Sequence, residues 1–187
     1  MARDFDGTDD HGDITLAAAQ TSNDQITIAM WLYSDSDAQY KRPFHRSDGF
    51  RAEMDDSWGF VFVAAWTGND GKWSMAKGGT GAWYHFAATY DWGATTNDPI
   101  LYKNGASVAI TERTTPTLAK DNTGTTLRIG AEHPTAGQYW NGRIAEFAYW
   151  SRILTAGEIS SLGANAFSPL FYPSGLELYL PLIGNTS

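Results

Sequence analysis

The stretch Ile26-Thr-Ile-Ala-Met-Trp-Leu-Tyr33 alternates at period two. Successive side chains of a β-strand point to opposite faces. Ile26, Ile28, Met30 and Leu32 therefore share one face, and Trp31 and Tyr33 share the other. Large apolar groups on both faces predict a strand covered on both sides. Working outward, similar segments recur. Residues 59–66 read Gly-Phe-Val-Phe-Val-Ala-Ala-Trp, then turn at Asn69-Asp70-Gly71 and return over residues 72–76, which predicts a hairpin. Residues 83–90, Trp-Tyr-His-Phe-Ala-Ala-Thr-Tyr, give another strand. Residues 100–110 centre on Asn104-Gly105, a pair suited to a type I′ turn because both central residues need positive φ. Residues 125–130, 142–150 and 175–182 supply three more strands. Many short strands separated by Gly, Asn, Asp and Thr are the signature of a sandwich or barrel.

One helix stands out, over residues 156–162. Thr155-Ala-Gly-Glu158 is a capping box, in which the Thr155 hydroxyl accepts from the Glu158 N–H and Glu158 reaches back. Ile159 and Leu162 give it a small apolar face and Gly163 ends it. Residues 34–50, 91–99, 111–124 and 164–174 read as loops, none long enough to separate domains. The expectation is a single domain over residues 1–187.

Composition narrows the function. The 187 residues carry a formal net charge of −8, which argues against nucleic acid and against an anionic membrane surface. No apolar run approaches the ~20 residues of a membrane span, so membrane insertion is not expected. Met1-Ala-Arg-Asp-Phe5 has no apolar signal-peptide core. Either the protein is not exported by that route or the chain is a mature or trimmed form. There are 0 cysteines, and the 8 tryptophans, 9 tyrosines and 9 phenylalanines are many for this length; aromatics favour strands, and any beyond the core's needs would serve a sugar-binding face.

Several segments, in order, resemble the laminin-G-like (concanavalin A-like) jelly-roll family. Phe5-Asp-Gly-Thr-Asp-Asp10 is similar to its first strand and turn, and Ile26-Thr-Ile-Ala-Met-Trp31 to its strand ending in a core tryptophan. Trp83-Tyr-His85-Phe-Ala-Ala-Thr89-Tyr-Asp91, Leu101-Tyr-Lys-Asn-Gly105 and Leu127-Arg-Ile-Gly130 resemble later strands. The run from Gly142 through Glu146, Trp150 and Glu158 to Ile159 resembles its closing strand and short helix. The likeness covers residues 4–162. It implies an all-β fold, a two-sheet antiparallel jelly-roll sandwich of six or seven strands per sheet. It implies function much less, because this fold carries lectins, adhesion domains, virion proteins, hydrolases and lyases. Family members often carry an Asp just before the residue matching Glu146; here it is Ala145. The segment from Ser168 to Leu182 resembles one that leads into further sequence.

Glucanases of this fold carry Glu-x-Asp-x-(x)-Glu on one strand, so that their carboxylates face one cleft. The nearest match, Glu53-Met-Asp55-Asp56-Ser57-Trp58, lacks the third carboxylate. There is no cysteine and no Gly-x-Ser-x-Gly for a nucleophile. His11, His45, His85 and His133 lack zinc spacing, and His85, at a family core position, reads as a satisfied core histidine. An enzyme is not expected. Asp4, Asp6, Asp9, Asp10 and Asp13 crowd the first turn. With Glu146 on an adjacent closing strand, Asp6, Asp9 and Asp10 could hold a structural calcium ion; the alternative is a solvated turn. For glycans, Trp31, Trp83 and Trp150 match family core positions and are assigned to packing. Trp66, Trp73, Tyr139, Trp140 and Asn141 remain as candidate stacking and hydroxyl-binding groups. The expected function is a non-catalytic module that binds carbohydrate or a cell surface, in the extracellular space or on a virion surface. The alternative is a virion structural protein, a capsid decoration or tail-fibre adhesin that contacts other virion subunits. A polysaccharide hydrolase or lyase is the third reading.

Overall fold

The computed structural model describes residues 2–17, 20–135 and 137–183. In chain order the strands are β1 (Arg3–Asp6), β2 (Gly12–Thr15), β3 (Gln25–Ser34), β4 (Phe44–Arg46), β5 (Phe50–Asp55), β6 (Gly59–Ala64) and β7 (Gly71–Met75). Then come β8 (Trp83–Asp91), β9 (Ile100–Lys103), β10 (Ala106–Ser107), β11 (Thr111–Thr114), β12 (Thr126–Ile129), β13 (Asn141–Trp150) and β14 (Leu176–Leu180). They form two 7-stranded antiparallel sheets, the jelly-roll sandwich. The first runs β1-β13-β3-β8-β9-β10 and the second β11-β7-β6-β5-β4-β12-β2. Strand β14 joins the first sheet on the same edge of β13 as β1: β1 pairs with residues 141–144 and β14 with residues 147–150. No helix among the described residues is long and apolar enough to cross a membrane.

The core lies between the sheets. Ile26, Ile28, Met30 and Leu32 of β3 are fully buried, as their alternation predicts. They meet Phe44, Phe50, Phe60 and Phe62 of the second sheet and Phe86 and Phe147 of their own. The Phe44 ring packs on Phe50, Phe86 and Phe147 at 5.9 to 6.4 Å. Each such side chain contributes roughly 1.5–3 kcal/mol by leaving water. Two short strands fall within stretches expected to be loops. Phe44-His-Arg46 is too brief to show a period, and Thr111-Glu-Arg-Thr114 is polar because it forms an edge.

The outer face of the first sheet is covered only in part. At one level Ala148, Ala29 and Ala87 lie side by side on β13, β3 and β8. Their small side chains let helix α1 (Ala156–Gly163) sit close, and Ile159 and Leu162 pack there with Trp150, Leu154 and Tyr102. The capping box forms as expected: Thr155 Oγ1 accepts from Glu158 N at 3.3 Å, and Thr155 N donates to Glu158 Oε2 at 2.7 Å. Gly163 has a second purpose. A Cβ there would stand 2.2 Å from the backbone N of Gly105, so the helix end and the Asn104-Gly105 turn touch backbone to backbone.

Candidate functional site

Beyond the alanine row, the same outer face changes character. The next level pairs Ala145, Trp31 and His85 across β13, β3 and β8, and the level after it pairs Arg143, Tyr33 and Trp83. The helix ends at their border, where Leu162 lines one hollow with Trp31 and His85. Trp83 is 40% exposed, and Trp31 and Tyr33 are half-buried. Trp31 stands edge-on to His85 with ring centroids 5.4 Å apart, and Tyr33 lies 5.6 Å from Trp83. Arg143 stacks over Tyr33 at 4.4 Å and pairs with Asp4 at 3.5 Å, closing the far rim.

Glu146 enters this face through a β-bulge. The β13–β3 register shifts between Ala145 and Ala148, at the point where β1 gives way to β14 along the opposite edge. Glu146 adopts φ 53°, the left-handed region that a non-glycine residue enters at a cost of roughly 1–2 kcal/mol. Bulges of this kind re-aim a side chain. Here Tyr179 Oη donates to Glu146 Oε2 at 2.6 Å. Burial, and then the Glu146 carboxylate it bonds to, hold the Tyr179 hydroxyl above its ordinary value, so it stays a donor.

Two connected hollows result. A cavity of about 260 Å³ lies between the sheet and residues 165–169, lined by Trp31, His85, Glu146, Asn165, Phe167 and Tyr179 among others. An open groove of about 460 Å³ adjoins it and shares Trp31, Glu146 and Asn165, adding Trp83 and Ala145. Burial pulls the His85 imidazole down to about 4, so it is neutral near pH 7. Its Nδ1 has no partner in the structure, so His85 is buried but not satisfied as the sequence reading expected.

The sequence-derived aromatic candidates lie elsewhere. Trp66 is 6% exposed, and Trp73 and Trp140 are fully buried. Trp66 Nε1 donates to Tyr90 Oη and Trp73 Nε1 to Asp98 Oδ1, so both indoles are core groups with capped N–H bonds. None of the three can stack on a sugar. Conversely, Trp31 and Trp83, assigned to packing, are left partly open, while Trp150 is buried as expected. Tyr139 and Asn141 are half-buried beside the first turn: Asn141 pairs with Asp6, and the Tyr139 ring lies 6.3 Å from His11.

Of the carboxylates expected to share calcium, Glu146 is not brought to the other three. Strand β1 runs antiparallel to β13, so its Asp6 end lies at Asn141 and its Arg3 end at Ile144. Glu146 is further along, roughly 16 Å from Asn141 at ~3.3 Å per residue. Asp6, Asp9 and Asp10 do share the turn. Asp6 Oδ1 accepts from Thr8 N at 2.7 Å and Asp9 N at 3.3 Å, and Asp10 Oδ2 accepts from Asp6 N at 3.1 Å. Among the described residues, no three His, Asp or Glu side chains converge to hold a metal ion.

The outer face of the second sheet is charged but internally paired. Arg42 bridges Glu53 at 2.8 Å and Glu132 at 2.7 Å, Arg51 meets Asp70 at 3.2 Å, and Arg128 meets Asp13 at 2.6 Å. His45 sits among them, its Nδ1 accepting from His133 N at 2.9 Å. Burial, then Arg42 and Arg51, pull the His45 imidazole down to about 3. Glu53, the first carboxylate of the glucanase-like match, is locked by Arg42, and Asp55 Oδ1 caps the turn by accepting from Ser57 N and Trp58 N at 2.8 Å. These groups hold one another, whereas the first sheet leaves aromatic faces and a carboxylate open.

Comparison with known proteins agrees with this architecture. A carbohydrate-binding protein of Bacteroides ovatus, provisionally described as such, superimposes with TM-score 0.68 at 18% identity over 96% of this chain and 50% of that one. This chain thus spans half the length of that protein. The native heptameric SAP-like pentraxin of Limulus polyphemus gives TM-score 0.62 at 15% identity, over 95% and 90% of the two chains. The Ruminococcus gnavus IT-sialidase CBM40, solved bound to α2,3-sialyllactose, gives 0.60 at 12% identity, over 88% and 98%. At these identities the likeness is one of fold. No curated protein matches the sequence. The model of the concanavalin A-like lectin/glucanases superfamily matches residues 6–160, and with this sandwich in place the chain belongs to that superfamily.

Proposed function

We propose that this protein is a non-catalytic carbohydrate-recognition module that binds through the groove on the helix-bearing sheet. The observation that carries the reading is the exposed Trp83 beside Trp31 and Tyr33, next to a cavity whose polar groups are Glu146, Asn165 and Tyr179. Aromatic faces receive sugar C–H faces, and a few placed polar groups orient the hydroxyls. Solved relatives of the same fold bind carbohydrate, the R. gnavus domain among them. Glycosidic cleavage requires a pair of carboxylates. Glu146 is the sole carboxylate lining the groove among the described residues, which supports binding without turnover.

The test is titration with an oligosaccharide panel, read by tryptophan fluorescence and calorimetry, on wild type, Trp83→Ala and Trp31→Ala. A sugar bound by wild type should bind at least about tenfold more weakly to Trp83→Ala, as hot-spot aromatics do. A sugar bound equally well by all three places recognition elsewhere and overturns the reading. Reducing-end release from a polysaccharide in the panel would overturn its non-catalytic part.

A further inference from the structure

We propose that the groove is selective for a cationic sugar, a glycan carrying free protonated amines, over neutral or anionic ones. The inference rests on the glycan reading above and adds the ligand's charge. Glu146 is the carboxylate shared by both hollows, and no lysine, arginine or second acid lines either of them among the described residues. Glu146 takes part in no ion pair there; its side-chain partner is the neutral Tyr179 hydroxyl, bonded to Oε2. His85, the remaining ionisable wall, is neutral near pH 7 and neither satisfies the carboxylate nor repels a cation. Arg143 does not supply the missing charge, because it is stacked on Tyr33 and paired with Asp4 at the rim.

The charged face of the second sheet gives the contrast. On the second sheet, buried Glu53 is paired with arginine, and the chain brings Glu132, Asp70 and Asp13 to arginines as well. Glu146 instead is held at a strained bulge and given only a hydroxyl. A half-buried carboxylate in a groove that Trp31 and Trp83 also line suits an ammonium group twice over. The carboxylate forms a charge-assisted hydrogen bond, and the ring faces attract the cation. The same arrangement repels a uronate or sialate carboxylate. A sugar ring bearing an amine fits both features, its C–H face on Trp83 and its nitrogen toward Glu146. The chain's net charge of −8 favours approach of such a polymer.

The experiment titrates the full chain with a β-1,4-linked glucosamine tetrasaccharide, its fully N-acetylated counterpart and cellotetraose. The three share a backbone and differ at the nitrogen. At about pH 6 the amines are largely protonated and at about pH 9 largely neutral. The expected result is that the glucosamine oligomer binds at least about tenfold tighter than both others at about pH 6. The preference should shrink to within about twofold at about pH 9 and in Glu146→Gln. Tyr179→Phe, which removes the donor and leaves the carboxylate, should keep the preference. Circular dichroism on each variant verifies folding. If the acetylated or glucose oligomer binds as tightly as the amine form and Trp83→Ala weakens both, the cation selectivity is refuted while the groove stands. If the preference persists unchanged in folded Glu146→Gln, Glu146 is not its source and the proposal fails. If none of the three binds, the proposal is overturned, and the neutral-oligosaccharide panel then decides whether the glycan reading survives.

Discussion

Acidification should destabilise this protein well before its carboxylates protonate. His45 and His85 are both buried and neutral, with imidazoles pulled from 6.5 to about 3 and about 4. Burial dominates both shifts; Arg42 and Arg51 add to the first. Below pH 6.5 the unfolded chain protonates each ring while the folded chain does not. The unfolded state then binds more protons, so stability is full above 6.5 and falls as pH drops toward the folded values. At about pH 5 the pH lies about 1.5 units below the unfolded value of each ring, which at ~1.36 kcal/mol per unit is about 2 kcal/mol per ring. The two together cost about 4 kcal/mol relative to pH 7.5, on the order of 10 °C in Tm for a chain of this size. The window stops near pH 5 for a reason. Asp13 and Glu158 are held below the ordinary carboxylate range by Arg128 and Arg152, and their pairs lose stability with the same sign only at lower pH. Thermal and urea unfolding from pH 7.5 to 5 measures the slope, and His45→Gln with His85→Gln should flatten it. A wild type equally stable at both ends, or a double variant that keeps the full slope, refutes the argument.

The remaining predictions concern packing. Glu146→Gly removes a side chain from φ 53°, so urea unfolding should show stability unchanged or higher by about 1 kcal/mol, while affinity for the groove's ligand falls. Gly163→Ala gains about 1 kcal/mol of helix propensity but drives a Cβ to 2.2 Å from the Gly105 nitrogen, a backbone atom that cannot turn aside. A net loss of about 1–2 kcal/mol is expected in chemical denaturation. Thr155→Ala removes the hydroxyl that accepts from Glu158 N and should cost about 1 kcal/mol, read as a lowered Tm with the sheet signal retained.

Much of the sandwich could be read from alternation. Ile26, Ile28, Met30 and Leu32 face the core as their spacing requires, Asn104 and Gly105 take φ 52° and 79° as a type I′ turn requires, and Thr155 and Glu158 cap the helix as paired. Short elements were illegible for physical reasons. Three residues, Phe44 to Arg46, cannot display a period, and β11 borrows its pairing from Ser74 and Trp73 rather than from its own side chains.

The site was read in reverse, and the cause lies in what a strand's outer face looks like in sequence. Trp31 and Trp83 match core positions of the resembled family, and that match, on strands with apolar inner faces, points to packing rather than to an open surface. Yet the same alternation puts Ala29 and Ala87 under α1 and Trp31, Tyr33 and Trp83 one and two levels beyond it. What decides their exposure is where an eight-residue helix ends, and that depends on the Gly163–Gly105 contact between segments distant in the chain. Trp66, Trp73 and Trp140 carry the opposite lesson. Each lies near a strand end or loop, where exposure is the usual expectation, but the curved sheets close over them and Tyr90 and Asp98 take the N–H bonds of Trp66 and Trp73. Glu146 left one trace in the sequence. A lone acid following Ala145, between inward Ile144 and Phe147, breaks the period of two by one residue. An interior strand with one residue too many must bulge, and the extra side chain goes to the outer face, which here is the floor of the groove.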